Sequence, residues 1–585
     1  MEPVSQRLWV ARSDSSDLSV VTDFCKQLQI LPPVARLLIG RDFALEQAKA
    51  HLAARLSDLP DPFLLPDMKI AVARLATALK NGERIAIHGD YDVDGITGTV
   101  LLYSGLAALG TKELIDYHIP LRLRDGYGLS AEALQNAAET EVRVVVSVDC
   151  GVSAHTEAAL ARKLGIDLII TDHHQPPPLL PEALAVINPQ RPDSRFPFPN
   201  LAGVGVAFFL LAALRKHLRD SGWFDAREEP DLREALDLVA LGTIADLVPL
   251  QDINRTLTRY GLSLLAAGQR VGVRALKEVA GIKDVSCGTV AFQLAPRLNA
   301  AGRMEDARLG VCLLLEKDMT RALDMARALD RCNCERRELE KQTLREAESA
   351  VATLVPERNY TIVLGGEGWH PGVIGIVASR LVDRYCRPTV LVAWSGNHGK
   401  GSARSIRGYH LFQGLQACAD NLTAFGGHAM AAGMSLDKSQ LDGFAVALEA
   451  HARSELTTGD LIPKLLHDGE ILLEEIDIDL LRQLEELAPF GTGNPEPLLV
   501  VEGVRAMQLQ LVGDNHLRFT ACQGAFSHPA IAFGMQERRE DFQGTIDLLV
   551  TPQINRFRGR ETVQLRVRDV RPSVAPAIED SGYFH

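Results

Sequence analysis

Eight residues, His88 to Gly95 (HGDYDVDG), constrain this chain more than any other stretch. A short apolar run, Ile85-Ala86-Ile87, leads into them, and a helix-like apolar segment follows from about Ile96. A strand that enters a helix through a tight polar turn is where α/β proteins place their chemistry. The turn carries one imidazole and three carboxylates. In an extended loop alternate residues point the same way, so Asp90, Asp92 and Asp94 are expected to face one side together. Like charges held that close repel, and burying them unpaired is costly. A divalent cation relieves both problems. The competing reading is a solvated acidic turn with a helix N-cap.

The scheme repeats downstream. Residues 67–81 read as an amphipathic helix that stops at Asn81-Gly82. Pro120–Leu129 supplies Arg122 and Arg124, and Ser130 is a plausible N-cap for a helix through Ala138. The continuous apolar run Val142–Val148 suits a strand covered on both faces, and it ends at Asp149-Cys150-Gly151. Gly165–Ile170 forms a third strand, ending in Thr171-Asp172-His173-His174. Adjacent histidines on a strand alternate direction, so only one is expected to enter a shared site. Leu236–Pro249 reads as a helix with Asp246 near its end. Each acid alone is more often a cap or a solvated side chain. Together, His88, Asp92, Asp94, Asp149, His173 and Asp246 are hard or borderline ligands, and all but Asp246 sit at strand ends on the crevice side. That many ligands suit two ions sharing a bridge, and mixed His and carboxylate donors favour Mn²⁺ or a similar metal over Ca²⁺.

The chain has 585 residues, which sets an expectation of three to five domains. With 46% hydrophobic and 5% aromatic residues it fits α/β material, and no apolar run is long enough for a membrane span. The first residues lack a secretory pattern, and the nine scattered cysteines fit reduced thiols, so a cytoplasmic location without a membrane is expected. The net charge of −13 argues weakly against a nucleic-acid partner, although local patches rather than totals set phosphate affinity.

The segments HGDYDVDG, VSVDCG, TDHH and LGTIADLVPL resemble the four motifs of the DHH phosphoesterase superfamily, named for Asp172-His173-His174. Later segments, LNAAGRM, GWHPGVIGIVASRL, GKGSARS and FGGHAMAAG, are similar to those of its single-stranded-DNA-specific exonucleases. The resemblance implies two divalent cations, Mn²⁺ or Mg²⁺, the first held by His88, Asp92 and Asp149. The second would be held by Asp94, Asp149, His173 and Asp246, with Asp149 bridging. Asp172 would orient a histidine, His174 would touch the scissile phosphate, and Asp90 would stand behind the ligands.

The rest of the chain divides by pattern. Residues 1–50, with Trp9 and the turn Leu31-Pro32-Pro33, look like an arm or small cap; 51–317 form the catalytic domain. Residues 318–354 read as one long polar helix bridging solvent, and just before it Leu298–Arg303 sits in a loop with a fixed cation, Arg303. A second α/β lobe spans 355–460, with strands at Tyr360–Leu364 and Pro388–Trp394 around a helix at Gly372–Arg384. Two glycine-rich turns follow, Gly399–Ser405 and Phe425–His428, whose backbone amides can approach a phosphate. The resemblance makes this the DHHA1 lobe. It places Arg303, Ser402 and Arg404 at a 5′ phosphate, with Arg124, Gly426, Gly427 and His428 also on the substrate. Residues 461–575 carry short β-like segments, and Arg556–Arg571 holds six arginines interleaved with Phe557, as expected of an OB-like barrel gripping single strands; 576–585 read as a tail.

The implied activity is 5′-to-3′ hydrolysis of single-stranded DNA to mononucleotides in DNA repair and recombination, with a helicase and a single-strand-binding protein as candidate partners. Two alternatives stay open. One is a DHH phosphodiesterase acting on short oligonucleotides or small nucleotides. The other is an inactive scaffold in replication.

Overall fold

Val142–Val148 is buried at every position but Arg143 because strands flank it on both sides. The sheet comprises β1 (Arg84–Gly89), β2 (Ile115–His118), β3 (Val142–Val148), β4 (Asp167–Thr171) and β5 (Ala185–Ile187), all parallel. Its spatial order is β2-β1-β3-β4-β5. The chain leaves β1 for one neighbour and returns to its other side as β3. That reversal opens a crevice at the carboxyl ends of β1 and β3.

Helix α1 (Val93–Leu109) starts three residues earlier than its apolar run suggests. It is buried through most of its length, packed on α2 (Gly203–Asp220) and α3 (Leu236–Ala245). Leu298–Arg303, expected in a loop, lies instead within helix α4 (Ala295–Met304). The long helix is α5 (Met319–Val351), capped by Asp318, whose side chain accepts from the Arg321 N–H at 2.9 Å. It is not a purely solvated bridge. Ala322, Ala326, Leu329 and Cys332, and again Glu340, Thr343, Ala347 and Val351, are buried at three- and four-residue spacing.

The second sheet is β6 (Ile362–Glu367), β7 (Thr389–Ser395), β8 (His398–Arg404), β9 (Ala424–Gly427) and β10 (Ala431–Asp437), in the order β9-β10-β8-β7-β6. Helix α6 (Ile374–Tyr385) packs on it. Both segments expected as glycine-rich turns are strands here. Their backbone amides take part in the ladder, Gly401 opposite Met434 and Gly426 opposite Gly433. The glycines serve packing: a Cβ on Gly401 would lie 2.3 Å from Met434 Sδ.

The C-terminal strands β11 (Leu499–Val512), β12 (His516–Gln523), β13 (Phe526–Ala532), β14 (Thr545–Phe557) and β15 (Arg560–Pro572) close into a barrel. Residues 21–48 do not stand apart as an arm. Val21, Phe24, Val34, Leu37 and Leu38 share one core with Leu480, Phe519, Leu548 and Val567 of the barrel region. The computed structural model describes residues 7–13, 17–121, 128–304, 306–354 and 359–573. It divides into one unit of Leu59–Val248 with Tyr260–Pro463, and another of Trp9–Asp58, Pro249–Arg259 and the chain from Lys464. Arg122, Arg124 and the tail at 576–585 lie outside the described residues. No described helix is long and apolar enough to cross a membrane.

Candidate metal centre and phosphate pocket

Asp92 caps α1, its Oδ1 accepting from the N–H groups of Asp94 (2.9 Å) and Gly95 (3.1 Å). The backbone is therefore extended only as far as Asp92, and the three acids do not face one way. Asp94 sits in the first helical turn and accepts from Gly203 N–H (2.6 Å) and Val204 N–H (2.8 Å) at the start of α2. Asp90, Asp92 and Asp149 form one cluster; Asp94, His173 and Asp246 form a second; Asp149, His173 and His174 form a third. Within each, the candidate ligand atoms lie within 4.8 Å of one another. His88 joins none of them among the described residues. Its Nε2 lies 3.1 Å from the Gly128 carbonyl, and its ring packs 5.0 Å from that of His118.

Both histidines after β4 reach the shared carboxylate. His173 Nε2 lies 3.1 Å, and His174 Nδ1 4.0 Å, from Asp149 Oδ1. Asp172 explains why strand alternation fails here. Its Oδ1 accepts from the N–H groups of both His173 (2.7 Å) and His174 (3.1 Å), turning the chain, and also binds His174 Nδ1 at 2.7 Å. Burial lowers the His174 pKa, but the bond to Asp172 and the surrounding carboxylates outweigh it and lift the group to about 9. His173 is pulled down to about 4, by burial and by the His174 charge.

The carboxylates respond in the opposite sense. Burial, then the charge of Asp92, raises Asp94 to about 7. Burial and neighbouring acids push Asp149 and Asp246 well above the usual range. His173 Nε2 and Asp246 Oδ2 are buried with no hydrogen bond among the described residues. Neutral imidazole and carboxylate oxygens so placed fit Mn²⁺ or Mg²⁺. Asp149 itself holds a left-handed backbone, φ 63°, which costs a non-glycine residue about 1 kcal/mol. A Cβ on Gly203 would lie 2.7 Å from that of Asp149, so only glycine fits beside it.

A cavity of about 280 Å³ opens on this centre, lined by Asp90, Asp92, Asp246, Asn299, Gly302 and Arg303. Arg303 also donates to the Gly372 carbonyl at 3.0 Å, ahead of α6. Gly372 lines a second cavity, about 580 Å³, together with Ser402, Arg404 and Gly427. Arg404 donates to Ser402 Oγ (3.2 Å) and to the Ala403 carbonyl (2.8 Å). A Cβ on Gly375 would lie 2.8 Å from Ser402 Oγ and 3.0 Å from Arg404 Nη2, so both side chains lie over the first turn of α6. A guanidinium, a hydroxyl and a helix N-terminus converging on one cavity suit an anion. Gly426 and His428 are exposed and are not among the residues lining it.

Three family models match in order: the DHH family N-terminal domain over 84–243, the DHHA1 domain over 352–454 and the RecJ OB domain over 467–569. The single-stranded-DNA-specific exonuclease RecJ of Bacillus subtilis is 38% identical over 579 residues, covering 97% of this chain and 71% of that protein. The Escherichia coli protein of the same name is 40% identical over 87% of this chain and 91% of its own length. The chain belongs to the RecJ family. The crystal structure of Thermus thermophilus RecJ in complex with Mn²⁺ superposes with TM-score 0.81 at 31% identity, covering 98% of this chain and 80% of that one.

Two features of this RecJ-family chain escaped sequence reasoning. Asn299 Oδ1 accepts from the Val93 N–H at 3.1 Å, beside Arg303 in the same helix. The amide pair of Gly203 and Val204 that holds Asp94 carried no side-chain signal; only the Gly-Val-Gly-Val run could have suggested it. The expected basic surface of the barrel also needs correction. Arg556 pairs with Glu485 (2.7 Å) and Glu561 (3.1 Å), and Arg571 with Asp547 (3.1 Å). Arg566 and Arg568 both approach Glu496. Arg558 and Arg560, at the β14–β15 hairpin tip, have no described carboxylate partner, and Arg558 sits 5.2 Å from the ring centre of the exposed Phe557.

Proposed function

We propose that this chain is a metal-dependent exonuclease that hydrolyses single-stranded DNA from a 5′ end and releases 5′-mononucleotides. Its relatives' names supply the substrate and the exonuclease class. The observation that carries the reading is the pair of clusters that meet near Asp149 and His173. One ion would be held by Asp90, Asp92 and Asp149, with Asp90 taking the part first expected of His88. The other would be held by Asp94, Asp149, His173 and Asp246. Bound there, divalent cations supply Lewis-acid activation of water and charge neutralisation at a phosphate.

The chain's own side chains do the positioning. His174, fixed by Asp172, is the donor toward a non-bridging phosphate oxygen as negative charge develops. Ser402, Arg404 and the N-terminus of α6 bind the terminal 5′ phosphate, and Arg303 spans the two cavities. Stopping the strand's end at that pocket converts phosphodiester cleavage into removal from the end. The barrel serves as the single-strand grip. The setting is cytoplasmic DNA repair and recombination, where a helicase and a single-strand-binding protein would supply the substrate.

End-labelled single- and double-stranded oligonucleotides, incubated with the purified chain and Mn²⁺ or Mg²⁺, test this reading. Labelled mononucleotide should appear at once from 5′-labelled single strands and not from blunt duplex. Release of internal fragments first, or metal-independent cleavage, would overturn it.

A further inference from the structure

His370 has no part in the reaction proposed above and is not among the residues lining either cavity. It lies half-buried just ahead of α6, and its Nδ1 accepts from the Gly372 N–H at 3.0 Å. Its backbone carbonyl accepts from the N–H groups of Val373 and Ile374, at 3.0 and 3.3 Å. One residue thus takes three successive donors at the entry to α6, where the helix itself offers no partners. The side-chain contact repeats the Asx turn of asparagine and aspartate, made here with an imidazole. Burial holds the ring's pKa below its ordinary value, so Nδ1 is free to accept at neutral pH.

Gly372 is a point where the catalytic domain touches the second sheet's lobe. It lines the phosphate pocket, and its carbonyl accepts from Arg303 at 3.0 Å. Arg303 stands near the end of α4, which meets the metal-centre loop at two places. Asn299 Oδ1 accepts from the Val93 N–H at 3.1 Å, and a Cβ on Gly302 would lie 2.6 Å from the Tyr91 carbonyl oxygen. On the other side, α6 carries Gly375 against Ser402 and Arg404. Direct contacts therefore run from the metal-centre loop through α4 and Arg303 to Gly372, and on through α6 to the phosphate pocket. The link at Gly372 is tight. A Cβ there would lie 3.0 Å from the His370 ring and 3.1 Å from the Arg303 carbonyl oxygen. Glycine's backbone turns freely, so without a partner on its N–H its carbonyl would not stay aimed at the guanidinium. The His370 ring is that partner.

We propose that His370 is a positioning residue for the terminal-phosphate site: its ring fixes Gly372, and Gly372 holds Arg303 where it meets the 5′ phosphate. The proposal rests on the reading of Arg303, Ser402 and Arg404 as the contacts of that phosphate. The role asks only for an acceptor at the place of Nδ1. A side-chain oxygen on residue 370 can therefore serve, as in an Asx turn, and an apolar side chain of similar bulk cannot.

Steady-state hydrolysis by the full chain with Mn²⁺, on one oligonucleotide carrying either a 5′ phosphate or a 5′ hydroxyl, tests this. His370→Leu should raise KM for the 5′-phosphorylated strand by roughly three- to tenfold, the worth of one hydrogen bond. The 5′-hydroxyl strand should lose much less. His370→Asn, which restores the acceptor, should recover most of the defect. Gly372→Ala reaches the same link without touching the imidazole, since its methyl crowds the ring and the Arg303 backbone apart, and should show the same selective loss. In a wild type that prefers the 5′ phosphate, three outcomes each overturn this proposal alone: equal losses on the two ends, no loss in either His370→Leu or Gly372→Ala, or a defect in His370→Asn as large as in His370→Leu. A wild type with the same KM for both ends overturns the pocket reading and this proposal with it.

Discussion

Asp149 combines a strained backbone, full burial and membership of two ligand clusters, so its side chain cannot be replaced by another of equal function. Asp149→Ala should lower hydrolysis about a thousandfold or more while preserving the fold. Wild-type protein at a metal concentration of a hundred times Kd should gain about 2.7 kcal/mol of stability. The variant should gain far less, and a full metal-induced rise in its melting temperature would refute the shared-ligand reading. Asp90 and His88 separate a ligand from a neighbour. Asp90→Asn should weaken metal binding by well over about a hundredfold, beyond the roughly ten- to hundredfold that loss of an outer-shell partner costs, and His88→Gln by less than about tenfold. Calorimetric titration with Mn²⁺ reads both, and the reverse order would return His88 to the first ion. The acids and histidines were legible because strand ends announce themselves by their apolar runs. Their partition between clusters was not. It depends on Asp92 starting the helix at Val93 and on Asp172 folding the DHH turn back, both of which are local hydrogen bonds.

Among the elements, β3, α5 and α6 were legible from apolar runs and breakers, whereas β8 and β9 were not. GKGSAR has no β-branched or aromatic residue, and it is a strand because β7 and β10 flank it on both sides. That sheet holds Ser402 and Arg404 over α6, and Gly375 is the point of closest approach. Arg404→Ala should cost tenfold to roughly a hundredfold in productive binding of 5′-phosphorylated DNA, and much less with a 5′ hydroxyl. Gly375→Ala should reproduce part of that loss, because its methyl displaces the flexible guanidinium without touching backbone. Equal losses on the two ends, in either variant, would remove the pocket's role in choosing the end. The helix Leu45–Ala53 offers a pH test in the other unit. Its His51 is buried, and burial, then the charges of Arg255 and Arg41, lower its pKa to about 3. The unfolded chain binds a proton near 6.5 and the folded one does not. His51's contribution to stability is therefore constant above about pH 7 and falls by about 1.4 kcal/mol for each unit as pH drops from 6.5 toward 3. Hydrogen exchange of residues 34–52 should accelerate over that window relative to a His51→Gln variant; matching profiles in the two proteins would exclude His51 as the cause.

At the scale of the whole molecule, the order of domains was legible in the sequence but the company kept by the first fifty residues was not. Val21, Phe24 and Leu37 find their partners more than four hundred residues away, and no local pattern encodes that. The same distance effect hides the true charge of the barrel. Read along the chain, Arg556–Arg571 is strongly basic; in the fold, Glu485, Glu496, Glu502 and Asp547 come from elsewhere to meet four of its arginines. An arginine already facing a carboxylate gains little from a phosphate, because it must first give up that partner, and the neutralised pair releases few of the DNA's condensed counterions. Arg558 and Arg560 have no such partner among the described residues, and the ring of Phe557 beside them adds a stacking surface. Their joint replacement by alanine should therefore weaken binding of long single strands. It should also reduce the slope of log affinity against log salt by about 1.4, since each phosphate contact on a single strand contributes about 0.7. Replacing Arg556 and Arg568 instead should leave that slope within about 0.3 of the wild type, since neither releases a full counterion. Affinity measured by fluorescence anisotropy from low to moderate salt distinguishes the two pairs. If both reduce the slope alike, the carboxylates do not neutralise the barrel's arginines and the whole β14–β15 face, rather than its tip, meets the DNA.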